Sequence, residues 1–493
     1  MGDRLRFGTA GLRAALGEGP GCMNVQVVEQ AAMAIARWLP DGSTVVIGRD
    51  ARYGSSDFAD VTARVLSEAG HVPKLYPDPV PTPVVAWAVG ALAADAGVMV
   101  TASHNPATDN GYKVYAADGG QILLDDAATI ERFMDELPWP DDVSTERPAD
   151  LELLGQDMID GYHTTIAREL VPRPLTIAYT AMHGVGGGDF VRALQSAGHD
   201  VHSVPEQHDP DPDFPTAPFP NPEEPGTLDL VMALADSIEA DLVLANDPDA
   251  DRLAVAVRRS AGWERLTGDQ IGVLLGWYLL GQTEGARAVA TTIVSSSLLG
   301  KVAAATGATC HETLTGFKWL ARVGSTAEPL VFAYEEALGY SVLPSIRDKD
   351  GISAGLVFAE LVATIAQFDH TVDDVLANLY GQHGVHLTSQ VSSRFEGDDA
   401  MQRMTQRMAE LRVQTPTVLA GLEVVEVVDL IGGHGGLPSS DVLIYHLEGG
   451  RLIIRPSGTE PKIKAYLEAV DIDEATAQSR LAAMTDAVPE LLV

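Results

Sequence analysis

Apolar runs of strand length alternate with longer stretches of helical periodicity through most of the chain. VVIGRD (45–50) followed by DFADVTARVLSEAG (57–70) is one such unit. The repeated pattern predicts α/β folding. Three of the strand-like runs empty into polar loops of unusual content: VMV (98–100) into TASHNP, LVLA (242–245) into NDPDADR, and LVFA (330–333) into YEEALGY. In open α/β sheets ligands gather beyond the carboxyl ends of the strands, so three related units of this kind predict loops aimed at one cleft. The pattern then changes. Strand HLTSQVSSRF, helix DDAMQRMTQRMAELRV, strands EVVEVVD, DVLIYHLEG and RLIIRPS with a Gly449-Gly450 turn, then IKAYLEAV and a last helix, predict a smaller α+β domain.

The division expected from these patterns is 1–150, 151–262 and 263–384 for three α/β domains and 385–493 for the last. At 493 residues, three or four domains is also what length alone suggests, at roughly 150 residues per domain. LPWPDDVSTERPAD (137–150), SAGWERLTGDQ (260–270) and HGVHLTSQ near 384 read as linkers. The Pro-rich stretch 208–226 reads as a long surface loop, a lid or a plain connection.

Composition narrows the function classes. A formal charge of -36 argues against nucleic-acid and anionic-membrane partners, which are bound by net or clustered positive charge. No run of about 18 uncharged apolar residues and no signal-peptide core stand out, so a soluble cytoplasmic protein is expected. Cys22 and Cys310 lie far apart without metal-type spacing, which suggests neither a disulfide framework nor a zinc site. Only seven lysines occur, and Lys113, Lys318, Lys349, Lys462 and Lys464 fall in or beside the polar loops. That placement hints at a basic pocket in an acidic protein; a plain compositional bias explains the scarcity equally well.

The loops carry the chemistry. In DPDADR, Pro248 opposes helix formation, and Asp247, Asp249 and Asp251 alternate, so an extended chain would point three carboxylates one way. Such a cluster needs a cation, and hard oxygen ligands suit Mg²⁺. Arg252 follows as a partner for phosphate or carboxylate. An acidic surface turn is the alternative. TASHNP puts Ser103 at a strand end beside His104, and a serine needs activation or an attached phosphate to do covalent chemistry; an ordinary Asn-Pro turn competes. NGYK adds Lys113. RPSGTEP offers Arg455, Ser457, Gly458 and Thr459 as a phosphate clamp, again against a plain polar turn. YEEALGY supplies Glu335 and Glu336 to accept hydrogen bonds from a polyhydroxy ligand, TGFKW supplies Gly316 and Lys318, and FGTAGLR supplies Gly8, Gly11 and Arg13.

Taken in order, FGTAGLR, TASHNP, DPDADR, TGFKW, EEALGY and RPSGTEPK resemble the α-D-phosphohexomutase superfamily, from Phe7 to Lys464. FPNPEEPGTLDL and RDKDGIS make the chain most similar to the branch with bacterial phosphoglucomutase/phosphomannomutase-type enzymes and the phosphoglucomutase-2-like proteins. The resemblance implies three related mixed α/β domains plus a C-terminal, TATA-binding-protein-like α+β domain around a central cleft. It implies a phosphoserine at Ser103, Mg²⁺ on Asp247, Asp249, Asp251 and the Ser103 phosphate, and the non-reacting phosphate held by Arg455, Ser457, Gly458 and Thr459. Arg13, His104, Lys113 and Arg252 occupy places where the family gathers cations and proton carriers. Glu335 resembles the sugar-reading glutamate, but Ala337 stands where the family often has Ser, which leaves Glu335 and Glu336 both open as the reader.

The implied activity is an intramolecular phosphotransferase of the isomerase class. It interconverts hexose 1-phosphate and hexose 6-phosphate, glucose leading and mannose next, through a bisphosphorylated sugar, with glucose 1,6-bisphosphate or a related bisphosphate as activator. Pentose phosphates are the alternative substrates within the family. A Mg²⁺-dependent phosphatase with an aspartate nucleophile and a non-catalytic phosphosugar-binding protein are the competing readings. Small sugar phosphates are the expected partners.

Overall fold

Each of the apolar runs that empties into a polar loop becomes a strand in a sheet of its own. The computed structural model describes residues 4–7, 11–171, 173–397, 399–457 and 461–492. The first sheet has six strands ordered Leu12–Ala15, Asp109–Ala116, Ala96–Val100, Thr44–Arg49, Val72–Leu75 and Glu152–Leu153. The second has five, ordered Gly262–Arg265, Ala254–Arg259, Leu242–Ala245, Thr176–Thr180 and Asp200–Ser203. The third has four, ordered Thr309–Thr313, Ala288–Thr292, Leu330–Glu335 and Gly339–Ser341.

These three sheets share one device. A strand with a parallel neighbour (Ala96–Val100, Leu242–Ala245 or Leu330–Glu335) runs into its polar loop, and the chain returns antiparallel beside it as Asp109–Ala116, Ala254–Arg259 or Gly339–Ser341. The loop is therefore the top of a return fixed at both feet. Parallel strands buried on both faces need near-continuous apolar sequence, which AGVMV and LVLA supply; every residue of both is buried.

The fourth sheet is antiparallel, ordered Val385–Arg394, Lys462–Asp471, Gly450–Pro456, Leu443–Leu447, Leu422–Asp429 and Val418–Leu419. Its alternating residues bury one face against helices Ala400–Val413 and Glu474–Leu492. The mixed α/β class of three sheets and the α+β character of the last match the pattern read from the sequence.

One apolar cluster runs continuously from side chains of the first sheet through the second and third. Helix Gly351–Ile365 lies in it. The segment Gly351–Phe368 is long and apolar enough to cross a membrane by length and composition, with mean hydropathy 1.6. Most of it packs inside the protein instead, with Phe368 exposed at its end: the aromatic ring of Phe190 lies against Gly355, and Leu253 beside it. The linker expected at 260–270 does contain the passage from the second sheet to the first helix of the third domain, but most of it is regular structure. Residues 260–261 turn a hairpin between Ala254–Arg259 and Gly262–Arg265, and Thr267 opens helix Gly268–Gly281 through a capping box with Gln270. Its polar, glycine-containing composition belongs to that turn and cap.

Candidate active site

The loops at the ends of the first and second sheets meet. Ser103 Oγ donates to Asp247 Oδ2 at 2.9 Å across 144 residues of sequence, and Lys113 Nζ donates to Asp249 Oδ2 at 2.7 Å and Asp251 Oδ2 at 2.8 Å. Ser103, Lys113 and the three aspartates are all buried.

The serine loop is held from beneath by a residue that carried no signal in the sequence. Arg52 is buried, pairs with Asp50 at 3.2 Å, and donates to the carbonyls of Ser103 (2.5 Å), Asn105 (2.6 Å), Pro106 (2.7 Å) and Asp109 (3.2 Å). Its guanidinium also stacks 4.8 Å above the ring of Phe214, which belongs to the Pro-rich 208–226 loop. Tyr53 reaches Asp213 in the same loop, and Phe219 meets the His104 ring edge-on. That loop is therefore a brace over the serine loop. Such support matters because Ser103 has φ 53, a left-handed conformation that costs a non-glycine residue about 1 kcal/mol or more. Ala250 in the aspartate loop (φ 56) and Leu338 in the glutamate loop (φ 62) repeat the strain.

The aspartates converge, but not as an extended strand. Ala250 N–H bonds the Asp247 carbonyl at 2.9 Å, so Pro248 and Asp249 round a turn that brings the carboxylates together. Pro248 fits such a turn as well as it opposes a helix. Gly184 makes room for it: a Cβ there would sit 2.4 Å from Pro248 Cα.

Each aspartate offers an oxygen within 4.8 Å of the others. Asp249 Oδ1 and Asp251 Oδ1 are buried without a hydrogen-bond partner among the described residues. Orphaned carboxylate oxygens in a dry cluster are costly unless a cation meets them, and an all-oxygen donor set fits a hard divalent ion. The electrostatics agree. Burial and the neighbouring Asp249 and Asp251 push the Asp247 carboxyl far above its ordinary value. Asp251, despite the same burial, is held well below the carboxylate range by Lys113, Lys349 and Arg252.

The surrounding cations differ in state. Burial opposes charge on Lys113, but Asp249 and Asp251 overcome it and raise the ammonium pKa. Lys349, 3.1 Å from Asp251 and over the ring of Phe317, is raised in the same way by Asp251, Asp348 and Glu335. Lys349 is a site residue the motif reading left without a role, although RDKDGIS had marked it. Asp348 anchors it, accepting from Tyr115 at 2.8 Å and from Gln121. Arg252 sits 3.8 Å from Asp247 and 3.6 Å from Glu223. Arg13 donates to Asn105 Oδ1 at 3.0 Å and is lowered by burial against the field of Asp249. His104, its Nδ1 3.2 Å from Ser103 Oγ, is held well below its usual value by burial, Arg252 and Arg13, and so is neutral.

Glu335 and Glu336 separate in character. Glu335 is buried beside Lys349 and Arg252, with its carboxyl raised by burial. Glu336 is half-buried, and burial, Glu335 and Asp269 lift it to about 7. Its Oε2 lies 3.4 Å from both Thr292 Oγ1 and Ser295 Oγ. Ala337 follows without a polar group. Gly316 and Lys318 belong to the short helix Phe317–Leu320 and its entry, beside strand Leu330–Glu335; burial and Arg322 lower Lys318. From the fourth sheet, Arg455 pairs in register with Lys464, which lies in the field of Glu336. Ser457 N–H donates to the Lys462 carbonyl at 2.7 Å. Gly458 and Thr459 of the expected clamp, and Gly8 near the N-terminus, lie outside the described residues.

Comparison with known proteins gives consistent matches along the chain. Models of phosphoglucomutase/phosphomannomutase α/β/α domains I, II and III match residues 4–140, 160–262 and 267–383, and that of the C-terminal domain matches 394–486. A probable phosphomannomutase of Haemophilus influenzae is 41% identical over 95% of this chain and 98% of its own length. A human phosphopentomutase is 36% identical over 95% of this chain and 85% of its own. The crystal structure of a phosphoglucomutase/phosphomannomutase family protein from Burkholderia thailandensis shares the fold, with TM-score 0.76 at 21% identity over 99% of this chain and 96% of the other.

Proposed function

The chain belongs to the phosphoglucomutase/phosphomannomutase family of phosphomutases, and on that footing we propose that it interconverts hexose 1-phosphate and hexose 6-phosphate through a phosphorylated Ser103. The observation that carries the reading is the Ser103 hydroxyl donating into a buried aspartate triad with two unpartnered carboxylate oxygens, walled by Lys113, Lys349 and Arg252. Glucose phosphate leads and mannose phosphate follows. The phosphopentomutase relative favours ribose or deoxyribose phosphate as a second reading.

In the proposed cycle phosphoserine 103 gives its phosphoryl group to the free hydroxyl of the sugar monophosphate: the P–O bond to Ser103 breaks, one to the sugar oxygen forms, and the proton of that hydroxyl ends on Ser103 Oγ. The resulting bisphosphate turns over in the cleft and returns its other phosphoryl group to Ser103. Added glucose 1,6-bisphosphate, or the bisphosphate of the true substrate, would prime the serine. Asp247, Asp249 and Asp251 would hold Mg²⁺, which supplies positive charge to phosphate oxygens as the phosphoryl group moves.

The chain's own residues do the rest. Lys113 and Lys349 hold Asp251 ionised. Arg252 and Arg13 face the transferring phosphate as fixed cations. His104, kept neutral, can accept the Ser103 Oγ proton when the phosphoryl group returns to the serine; Lys113, kept charged, cannot. Glu335 and Glu336 accept from sugar hydroxyls, with Gly316, Lys318 and Ala337 lining that side. Arg455, Ser457, Gly458 and Thr459 clamp the phosphate that does not react.

A ³¹P NMR time course of glucose 1-phosphate with the protein, Mg²⁺ and a trace of glucose 1,6-bisphosphate tests this. Growth of a 6-phosphate signal is expected, and ribose 1-phosphate and mannose 1-phosphate run in parallel rank the sugars. Release of inorganic phosphate without isomerisation would replace the mutase with a phosphatase, and binding without turnover of any of the three would leave a phosphosugar-binding protein.

A further inference from the structure

The C-terminal domain is fastened to the third by a buried polar cluster that lies beyond the loops described so far. Glu468, on strand Lys462–Asp471, is 3% exposed. Its Oε1 accepts from Ser296 Oγ (2.8 Å), Ser297 N–H (2.7 Å), Ser297 Oγ (3.1 Å) and His386 Nδ1 (3.0 Å), and its Oε2 from Arg451 Nε at 2.7 Å. Arg451 also donates through Nη2 to the Ser295 carbonyl and lies 3.4 Å from Glu312. On the neighbouring strand of the same sheet, Thr388 Oγ1 donates to Asp269 Oδ2 at 2.7 Å, while Asp269 Oδ1 accepts from Ser296 N–H at 2.7 Å and Tyr334 OH at 2.9 Å.

These bonds converge on the short loop 293–297 at the end of strand Ala288–Thr292, and that loop touches Glu336. Ser295, whose carbonyl is taken by Arg451, turns its hydroxyl to Glu336 Oε2 at 3.4 Å and to Thr292 at 2.8 Å. A second route reaches the same glutamate through the backbone. Gly268, beside Asp269, abuts the Glu336 carbonyl so closely that a Cβ there would lie 1.8 Å from it. Cavities of about 560 Å³ against Arg451 and His446 and about 120 Å³ against Asp269 and His386 flank these bonds, while Ile293 and Val294 of the same loop pack with Ile444, Ile453 and Tyr466 of the fourth sheet. The apolar contact is non-directional and holds the domains together without fixing their setting; the directional polar bonds make the latch, since the domains can shift there only by exchanging them.

We propose that Arg451 and Glu468 are positioning residues that couple the seating of the C-terminal domain, which carries Arg455, to the placement of Glu336 through Ser295. The inference rests on the proposed function for its consequence: the phosphate clamp and one of the two sugar-reading carboxylates are set together, so the cleft reads the sugar fully only when the clamp is seated. The coupling itself is a property of the protein without ligand.

The test uses the full chain in two measurements. Hydrogen exchange of Arg451→Gln should be faster than wild type, by about tenfold, in the 293–297 loop and the 334–339 turn, and unchanged in the 247–251 loop. Ser295→Ala, a milder change that keeps the latch, should speed exchange in 334–339 and leave strand 385–394 as it is. In a Ser103→Ala background that blocks turnover, Arg451→Gln should weaken glucose 6-phosphate binding at least about threefold with Glu336 present and not with Glu336→Gln, because residues sharing a partner are non-additive. Wild-type protection of 334–339 in Arg451→Gln, or equal loss of affinity in both backgrounds, would overturn the coupling. The exchange pattern without any sugar phosphate binding would uphold the coupling and remove the mutase reading.

Discussion

Glu336→Gln is the substitution whose consequences divide most cleanly. Burial, Glu335 and Asp269 lift the Glu336 carboxyl from 4.5 to about 7. At about 1.4 kcal/mol per tenfold, the gap amounts to at most about 3 kcal/mol, and because the side chain is half-buried about 1–2 kcal/mol is the fair expectation. A raised carboxyl contributes stability that is complete below its unfolded value near 4.5 and lost as pH rises through about 7. Glutamine lacks the term. The variant should therefore gain on wild type between pH 5 and 8, by roughly 4–8 °C in the melting of the domain concerned. Catalysis should move the opposite way. If only the ionised carboxylate accepts from the sugar, wild-type kcat/KM should rise about tenfold from pH 6 to 8 through this group. The substrate phosphate itself titrates near pH 6, but it does so equally for both proteins, so the ratio of wild type to Glu336→Gln isolates the carboxyl. Differential scanning calorimetry and initial rates, each at half-unit steps, give both curves. A ratio flat from pH 6 to 8, or melting curves that run parallel, would refute the reasoning.

Ser103→Ala should abolish the phosphoenzyme detected by mass spectrometry and lower turnover by about 10³-fold or more, with glucose 6-phosphate binding retained in calorimetry; turnover within tenfold of wild type would exclude Ser103 as the carrier. Because burial and its neighbours keep the Asp247 carboxyl protonated, Mg²⁺ binding should expel a proton, so affinity should rise with pH and the heats should differ between buffers of different ionisation enthalpy. Equal heats would place the ion elsewhere. Arg52→Met strands Asp50 and the loop carbonyls in a dry setting and should cost about 3–5 kcal/mol, read as a lowered melting temperature of the N-terminal domain together with slow rephosphorylation of Ser103. Normal melting would mean that Phe214 and the strand ends hold the loop without it.

What the sequence could express was local. An apolar run followed by a dense polar loop is a few residues long, so the ends of Ala96–Val100, Leu242–Ala245 and Leu330–Glu335 were legible as places for chemistry. The alternation of Asp247, Asp249 and Asp251 was legible too, but the reason for their convergence was not: the turn depends on Gly184 leaving room under Pro248 and on Ala250 tolerating a left-handed backbone. Distant partners were out of reach for the same reason. Nothing in RDARYG announces that Arg52 will cradle carbonyls about 50 residues on, and nothing in RDKDG says that Lys349 faces Asp251 across nearly 100. The stretch 260–270 marked the passage between the second and third domains, which the family models place between 262 and 267, but most of it is hairpin and helix cap, whose residues share the composition of a linker.

The charge of the protein makes sense only when divided between surface and cleft. Acidic residues outnumber lysine and arginine 69 to 33, yet Arg13, Arg52, Lys113, Arg252 and Lys349 all gather in or beneath the site. Within the site the same sorting recurs. Lys113 and Lys349 both settle on Asp251 and hold it ionised, while burial and its neighbours push up Asp247, the aspartate that the Ser103 hydroxyl reaches. An incoming phosphate or metal ion then meets a set of carboxylates whose protons are already unequally held, so binding either charge redistributes protons at the serine itself. Three loops from three sheets are needed for that arrangement, because one strand end cannot supply the serine, the triad and the balancing lysines without burying like charges against each other.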